Sequence, residues 1–318
     1  MLLTPSPLPH GVSPLPHLGV IRVSGADAAN FLHNQLTQDV LLLNAQQARL
    51  AAFCNAKGRM QASFVLYKRA ADEVLLVCRR DLLAQTLKRL SMFVLRAKAQ
   101  LSDATAEFTL MGLSGDVVQH VCGPHASTAP WLRHGVNEGP DSADVLTIYP
   151  SQGVARALWL APVNSASSTA LTGFATLTSE SWHVGEVMSG VAWVELATFE
   201  AFVPQMLNYE SVDGVNFKKG CYPGQEVVAR SQFRGTLKRR AFIVQSDGPM
   251  HASQEVFSSA DPTQPCGLLA QAATDGNTHV AIAELQLSAT QGHSLHLGTA
   301  QGALLHLLPL PYPLRDDI

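Results

Sequence analysis

The stretch 218-KKGCYPGQEVVAR-230 sets a thiol among two amines and a carboxylate within a few residues. Cys221 can serve there as a nucleophile, as a metal ligand, or as a small residue in a tight turn. Gly220, Pro223 and Gly224 shape a turn whose backbone can approach another group closely. By composition alone a turn residue is the commoner outcome, because free cysteines are often buried and inert. The local charge pulls the other way. From Lys218 to Arg240 there are seven basic residues (Lys218, Lys219, Arg230, Arg234, Lys238, Arg239, Arg240) and one acid, Glu226. Cations near a thiol favour the thiolate, the form that attacks or ligates, and Lys219 is its neighbour in the loop. The basic run suits a small anionic ligand held by Arg and Lys, a nucleic-acid backbone with Phe233 stacking on a base, or plain solvent. Tyr222 and Phe233 are its only aromatics, which ranks a small ligand above nucleic acid. The pair in 293-HSLH-296 lacks acidic or Cys companions for a metal and reads as ordinary β-domain sequence.

The elements that position this loop follow from periodicity. A strand is predicted over 18–25 and a helix over 26–40, with Phe31, Leu32, Leu36 and Val40 at helical spacing. Apolar runs at 48–55 and 59–68 flank a turn at Gly58 and form a hairpin, which 73–80 extends. A helix over 81–95 takes Asp81 as N-cap. A strand over 107–113 leads to a short helix near Val117–Cys122, and strands follow at 144–150 and 155–162. The small polar stretch 163–173 is a loop or helix entry, and a helix capped by Ser179 spans 179–190. From Lys238 onward, short strands alternate with Gly, Pro and Asp turns, the pattern of an all-β domain, a small barrel or sandwich. Neither G-x-G-x-x-G after a strand nor G-x-x-x-x-G-K-[ST] occurs, so a nucleotide fold has no support.

A chain of 318 residues with 47% apolar and 15% charged residues calls for two or three domains with ample core material. It has no run of roughly 18 apolar residues, so no spanning helix is expected. The proline-rich amino terminus lacks an early basic cluster and reads as an extended lead-in rather than a targeting segment. Cys54, Cys78, Cys122, Cys221 and Cys266 are odd in number and widely spaced, without C-x-x-C. Reduced thiols and a cytoplasmic setting fit that pattern. A net charge of −3 excludes polyanion binding by the molecule as a whole.

The run 217-FKKGCYPGQEVVARSQFRG-235 resembles the signature of the YgfZ-like folate-binding proteins, relatives of the glycine-cleavage T-protein that act in iron–sulfur cluster maturation or repair. The stretch 24-SGADAANFLHNQLTQDV-40 resembles their opening helix, with Gly25, Asp27, Phe31, Gln35, Thr37 and Asp39 in place. Further likeness lies in 51-AAFCNAKGRM-60, 202-FVPQMLNYESVDGVNFKKGCY-222 and 309-PLPYPL-314. The resemblance implies an α+β fold, a three-domain ring-like T-protein-type architecture with a central folate channel and a small C-terminal β-barrel. Its units would be 1–45 plus 104–175, 46–103 plus 176–238 with the cysteine loop, and 239–318. It further implies tetrahydrofolate or a derivative as cofactor, and Cys221 with Lys219 as the functional pair. Folate contacts would come from Trp182 as ring clamp, Leu18, Tyr222, Gln225, Glu226 and Arg230. No metal site and a monomeric state are expected. Partners would be iron–sulfur enzymes or their assembly factors.

The chain departs from the family at three places. Leu18 stands where relatives can carry a second tryptophan. The glutamate that often precedes the glycine at Gly190 is replaced by Val187-Met188-Ser189, with Glu186 displaced upstream. No Asp or Glu lies between Asn55 and Tyr67, so the catalytic carboxylate of true aminomethyltransferases is missing. The first expectation is therefore a folate-binding accessory protein for iron–sulfur enzymes, its single loop cysteine too few to hold a cluster that usually takes four thiolates. One alternative is a folate-dependent one-carbon transferase with His183 as acid–base. Another is a tRNA-binding accessory using Arg230 to Arg240.

Overall fold

The structure, a computed structural model, describes residues 5–136, 139, 141–233 and 237–315. Its first strands are β1 (Gly11–Pro14), β2 (Leu18–Ser24), β3 (Ala48–Cys54), β4 (Met60–Ala70), β5 (Glu73–Arg79) and β6 (Gln100–Asp103). There follow β7 (Phe108–Ser114), β8 (Arg133–Val136), β9 (Ala143–Ser151) and β10 (Val154–Pro162). The last six are β11 (Arg239–Ser246), β12 (Glu255–Ser258), β13 (Asp261–Asp275), β14 (Thr278–Gln286), β15 (Leu295–Leu297) and β16 (Leu304–Leu308). The α-helices are α1 (Ala28–His33), α2 (Arg80–Ser91), α3 (Asp116–Cys122), α4 (Ser179–Met188) and α5 (Gln225–Phe233). One sheet runs β1-β7-β10-β9-β8, a second runs β3-β4-β5-β2-β6, and β11-β14-β13-β12-β15-β16 close into a barrel. No helix among the described residues is long and apolar enough to cross a membrane.

Side-chain alternation explains the layering. In β5, Val74 and Leu76 pack with α1 and α2, while Leu75 and Val77 turn to the opposite face. In β10, Ala157, Trp159 and Ala161 pack with α3, while Leu158 and Leu160 turn the other way. A sheet covered on both faces needs apolar residues at both parities, which is why these strands read as unbroken apolar runs. Leu75, Val77, Leu158 and Leu160 join Trp182 and Val187 of α4 and Ile243 and Ile282 of the barrel in one central core. The barrel fills its interior separately, with Val244, Leu269, Ala283 and Leu285 among others.

Several local expectations shift. The helix predicted over 26–40 stops at His33, although Leu36 and Val40 are still fully buried. Thr37 is the reason: its N–H donates to Ala52 O, and its hydroxyl donates to Gly214 O while accepting from Ala52 N–H. A helical backbone there would withdraw those bonds. Asp81 does not cap α2; it lies in the first turn and accepts the Leu196 N–H at 3.1 Å. Thr178, one residue before the predicted cap, accepts the Ser181 N–H and caps α4. The extended lead-in supplies β1, which pairs with β7. Strand β2 falls within the expected 1–45 unit but hydrogen-bonds to β5 and β6 in the second sheet. Helix α5 was not legible from its mixed sequence.

A buried polar junction ties the two sheets together. Asp144 of β9 accepts from Tyr67 OH of β4 at 2.8 Å and from Arg133 Nε of β8 at 2.8 Å. Removing one member of a buried charged pair leaves the other uncompensated. Asp144→Ala is expected to lower the unfolding free energy by about 3–5 kcal/mol, read from urea denaturation; a loss under about 1 kcal/mol would show the pair to be solvated.

Candidate ligand channel and thiol loop

Helix α4 presents Trp182 and Glu186 on one face, as i,i+4 spacing dictates, and the indole Nε1–H donates to Glu186 Oε1 at 3.1 Å. The Trp182 ring packs on Gly112, where a Cβ would lie 2.6 Å from it, and Arg156 of β10 sits over it at 4.4 Å from the centroid. Glu186 Oε1 also accepts from His17 Nε2 at 3.2 Å, and Oε2 accepts from Gln271 Nε2 of β13 at 3.3 Å. Burial pushes the Glu186 carboxyl up, but the His17 hydrogen bond and the Arg156 charge outweigh it and hold the group at about 2. An ionised carboxylate only accepts, so His17 carries its proton on Nε2. That leaves His17 Nδ1 to accept from His183 Nε2, 3.2 Å away. Arg156 is fully buried and drops to about 10 through desolvation, with Glu186 opposing. Its Nε finds no partner, and Nη1 reaches Tyr149 O only at 3.5 Å.

Arg156 and Glu186 line a tight inner cavity of about 20 Å³, walled by Trp131, Tyr149, Ser189 and Trp193 among others. That volume holds about one water molecule, so a ring system enters only when these walls part. Trp131 is held at φ +67, a conformation bulky residues rarely adopt. Its Nε1–H donates to Val212 O at 2.9 Å and its backbone N–H to Thr147 O. The same indole walls an outer cleft of about 500 Å³ bordered by Arg49, Asn216, Phe217, Lys218 and Arg315. The cleft thus reaches the first residues of the cysteine loop.

Two glycines dock that loop on the β3–β4 turn. Gly224 has φ +79, and a Cβ there would lie 2.4 Å from Asn55 O and 2.7 Å from Gly58. Asn216 Oδ1 accepts the N–H groups of Lys218 and Lys219 at 2.9 and 3.1 Å. Lys219 Nζ donates to Gly220 O at 3.1 Å and lies 4.5 Å from the Tyr222 ring centroid. Burial lowers the Lys219 amine to about 8, opposed by Asp39 and Cys221. His33 Nδ1 stands 3.2 Å from Asp39 Oδ1. Cys221 is exposed, Cys122 is half-buried, and the other three thiols are buried.

Measured against the sequence expectations, the site is rearranged. Trp182 is fully buried, packed on Gly112 and covered by Arg156, so it offers no stacking surface in this structure and instead anchors Glu186. Leu18 is a central-core residue at 1% exposure. Tyr222 covers Lys219, Gln225 opens α5, and Glu226 and Arg230 are exposed on that helix; none of the four lines the inner cavity. The basic run also shrinks. Arg239 pairs with Glu284, and Arg240 pairs with the buried Glu210; Arg234 lies outside the described residues. Glu186 reaches the cavity despite its displaced position. Arg156, Trp131 and Trp193 were missed, although a lone cation inside 154-VARALWLAP-162 was a signal. His296 is engaged by Gly302 O and Ser294 Oγ.

Two antiparallel sheets sharing a core with a closed barrel, around a charged inner cavity, are the architecture of an aminomethyltransferase-type protein. In three dimensions the chain is similar to the glycine cleavage system aminomethyltransferase T of Bartonella henselae, with a TM-score of 0.69 at 15% identity over 96% of this chain and 86% of that one. The GCVT N-terminal domain family matches residues 10–133. Over 99% of its length the chain is 28% identical to the tRNA-modifying protein YgfZ of Sodalis glossinidius, covering 96% of that protein. The YgfZ of Photorhabdus laumondii is likewise 28% identical over 99% of the chain. The chain thus has the aminomethyltransferase-type fold and is similar to YgfZ proteins over nearly its whole length.

Exposure and burial separate the thiols. Burial pushes Cys122 up to about 11 and Cys54 up to about 12. Ellman's reagent on native protein is expected to modify one thiol rapidly, and Cys221→Ser to abolish that phase; a fast phase surviving the substitution would contradict the assignment. Lys219 has its own signature. With the folded amine at about 8 and an unfolded value of about 10.4, the unfolded chain binds the extra proton between those values. The burial penalty is therefore fully present below about pH 8 and disappears as pH rises to about 10.4. Wild type should gain on the order of 2 kcal/mol over that window relative to Lys219→Met, read from urea midpoints; parallel pH profiles would refute it.

Proposed function

We propose that the protein binds tetrahydrofolate or a derivative, with the pterin ring entering from the outer cleft toward Arg156 and Glu186 as the walls of the inner cavity part, and serves as a folate-dependent accessory to iron–sulfur enzymes, including those that modify tRNA. The observation that carries this reading is a fully buried Arg156 and a buried, ionised Glu186 facing one small cavity with bonding capacity left over. A carboxylate has about four lone-pair sites. Trp182, His17 and Gln271 take three at Glu186, leaving one for the amino and N–H donors of a pterin. Arg156 Nε is free to donate to the ring's oxo or nitrogen acceptors. Trp131, Tyr149 and Trp193 offer aromatic surface to a flat bicycle. A ligand tail would leave past Trp131 into the outer cleft, where Arg49, Lys218 and Arg315 meet a single acid, Asp213.

Tetrahydrofolate would supply one-carbon or reducing chemistry when bound; the chain's own part is to orient the ring and exclude water from it. Cys221 and Lys219 stand on the loop that follows the rim of the outer cleft, and we assign them the contact with a cluster or thiol brought by a client protein. One exposed thiol cannot hold a cluster alone, so the partner must bring the remaining ligands. The relatives in Sodalis glossinidius and Photorhabdus laumondii are tRNA-modifying proteins by name, which supports placing the clients among tRNA-modifying enzymes. The absence of Asp and Glu between Asn55 and Tyr67 weighs against aminomethyl transfer. With Arg239 and Arg240 held in ion pairs, direct binding of RNA through the basic run loses its main cations.

Tetrahydrofolate titration followed by tryptophan fluorescence tests the reading, because Trp131 and Trp193 line the cavity. Arg156→Met and Glu186→Gln are each expected to weaken binding roughly 10- to 100-fold, the worth of a charged hydrogen bond, while Cys221→Ser leaves affinity unchanged. Melting curves establish that the variants are folded. Saturating folate without any response from the wild type, in fluorescence or in melting temperature, overturns the proposal.

A further inference from the structure

Glu186 also belongs to a second cluster, whose histidines the folate reading does not set against the ligand. His183 and Glu186 are three residues apart on α4 and so share a face. His17 arrives from the short connection between β1 and β2, where Leu18 N–H closes a turn on Leu15 O. One ring nitrogen from each histidine and one Glu186 oxygen lie within 4.8 Å of one another. One of the separations is already tight, His17 Nε2 to Glu186 Oε1 at 3.2 Å, while His183 Nε2 faces the other His17 nitrogen, Nδ1, at 3.2 Å.

We propose that His17, His183 and Glu186 form a binding site for a divalent transition metal of the zinc type. Donors around a tetrahedral ion with bonds of about 2.0–2.1 Å stand roughly 3.3–3.4 Å apart. The His17 Nε2–Glu186 Oε1 pair meets that spacing, and rotation of the His183 ring away from His17 Nδ1 brings in the third donor, all three lying within 4.8 Å at the outset. Two imidazoles and one carboxylate make a three-ligand set with an open position, the donor pattern of hydrolytic zinc and of non-haem iron(II) sites. Glu186 is oriented for the task by Trp182 Nε1 and Gln271 Nε2, the outer support that ligating carboxylates usually have. Glu186 itself supplies the charge that attracts a cation, with Glu180 and Glu195 set against Arg79 and Arg156 around it. The His17 side chain keeps 12% of its surface open, which provides a route for the ion.

Equilibrium dialysis against zinc(II), and visible absorption on adding cobalt(II), test the site on the full chain. One ion per chain is expected, with ligand-field bands for cobalt in a nitrogen and oxygen environment. His17→Gln and His183→Gln should each weaken uptake by more than the roughly 100-fold that loss of a supporting residue costs. Cobalt uptake that is absent in the wild type overturns the proposal and leaves the trio as a hydrogen-bonded brace for Glu186. Uptake that persists in the His17→Gln/His183→Gln variant overturns it too, since the ion then sits on surface groups such as His10 and Asp116, 3.0 Å apart. Anomalous scattering from a cobalt-soaked wild-type crystal decides the matter if a variant misfolds: a peak between the three side chains supports the site, and a peak elsewhere refutes it. Glu186 serves both readings while neither histidine lines the inner cavity, so metal uptake is read on the histidine variants and folate binding on metal-free wild type, and each reading can fail without the other.

Discussion

An ionised carboxylate in the middle of a protein is the constraint around which this chain is arranged. Glu186 is 2% exposed, and a bare charge at that depth is prohibitive unless it is paired and hydrogen-bonded. The groups that satisfy it come from different parts of the fold: Trp182 from its own helix, His17 from the β1–β2 connection, Gln271 from barrel strand β13, and Arg156 from β10 through its charge. Each sheet, the barrel and α4 therefore meet at one polar point inside an otherwise apolar core. Loss of any partner strands the charge, which typically costs about 3–5 kcal/mol for a buried pair. The same incomplete satisfaction, with a lone pair and an Arg156 N–H to spare, is the basis on which ring recognition is proposed at this cavity.

The thiol loop is held by a different device. Backbone contact between Gly224 and the Asn55–Gly58 turn fixes the loop against the β3–β4 hairpin without any side chain between them. Thr37 adds a second clamp, joining β3 to Gly214 and to the Asn216 that organises the loop's first N–H groups. The inner cavity and the exposed thiol are thereby separated in space, the first deep in the core and the second beyond the rim of the cleft. Trp131, strained in its backbone and anchored through Val212, is the partition between the two spaces.

Many residues that carry the family resemblance turn out to hold the fold together. Asn208 sits at φ +57 and donates from its side chain to Ala241 O, joining the 202–217 segment to the barrel. Tyr209 donates to Ala192 O at 2.6 Å, and Tyr312 of the carboxy-terminal PLPYPL donates to Gly190 O at 2.7 Å. These bonds secure the segment after α4, whose Ser189, Val191, Ala192 and Trp193 wall the inner cavity. A signature can thus mark the supports of a site as readily as the site itself.

Strand positions, the hairpin at Gly58 and the all-β carboxy-terminal barrel were legible in the sequence, because burial on one or both faces of a strand imposes its own period locally. The glycine-bounded turn at Cys221 was legible for a similar reason, since its constraints lie within a few residues. Where the helix after β2 stops was not, because Thr37 is captured by partners at Ala52 and Gly214 that are distant in the chain. Nor could the sequence distinguish Trp182, an apparent platform, from Trp131, the actual wall. Aromatic identity is a local fact, but the free face of a ring depends on what the other layers place against it. Here Gly112 and Arg156 arrive from β7 and β10 and bury one indole, while Trp131 is left facing a cavity.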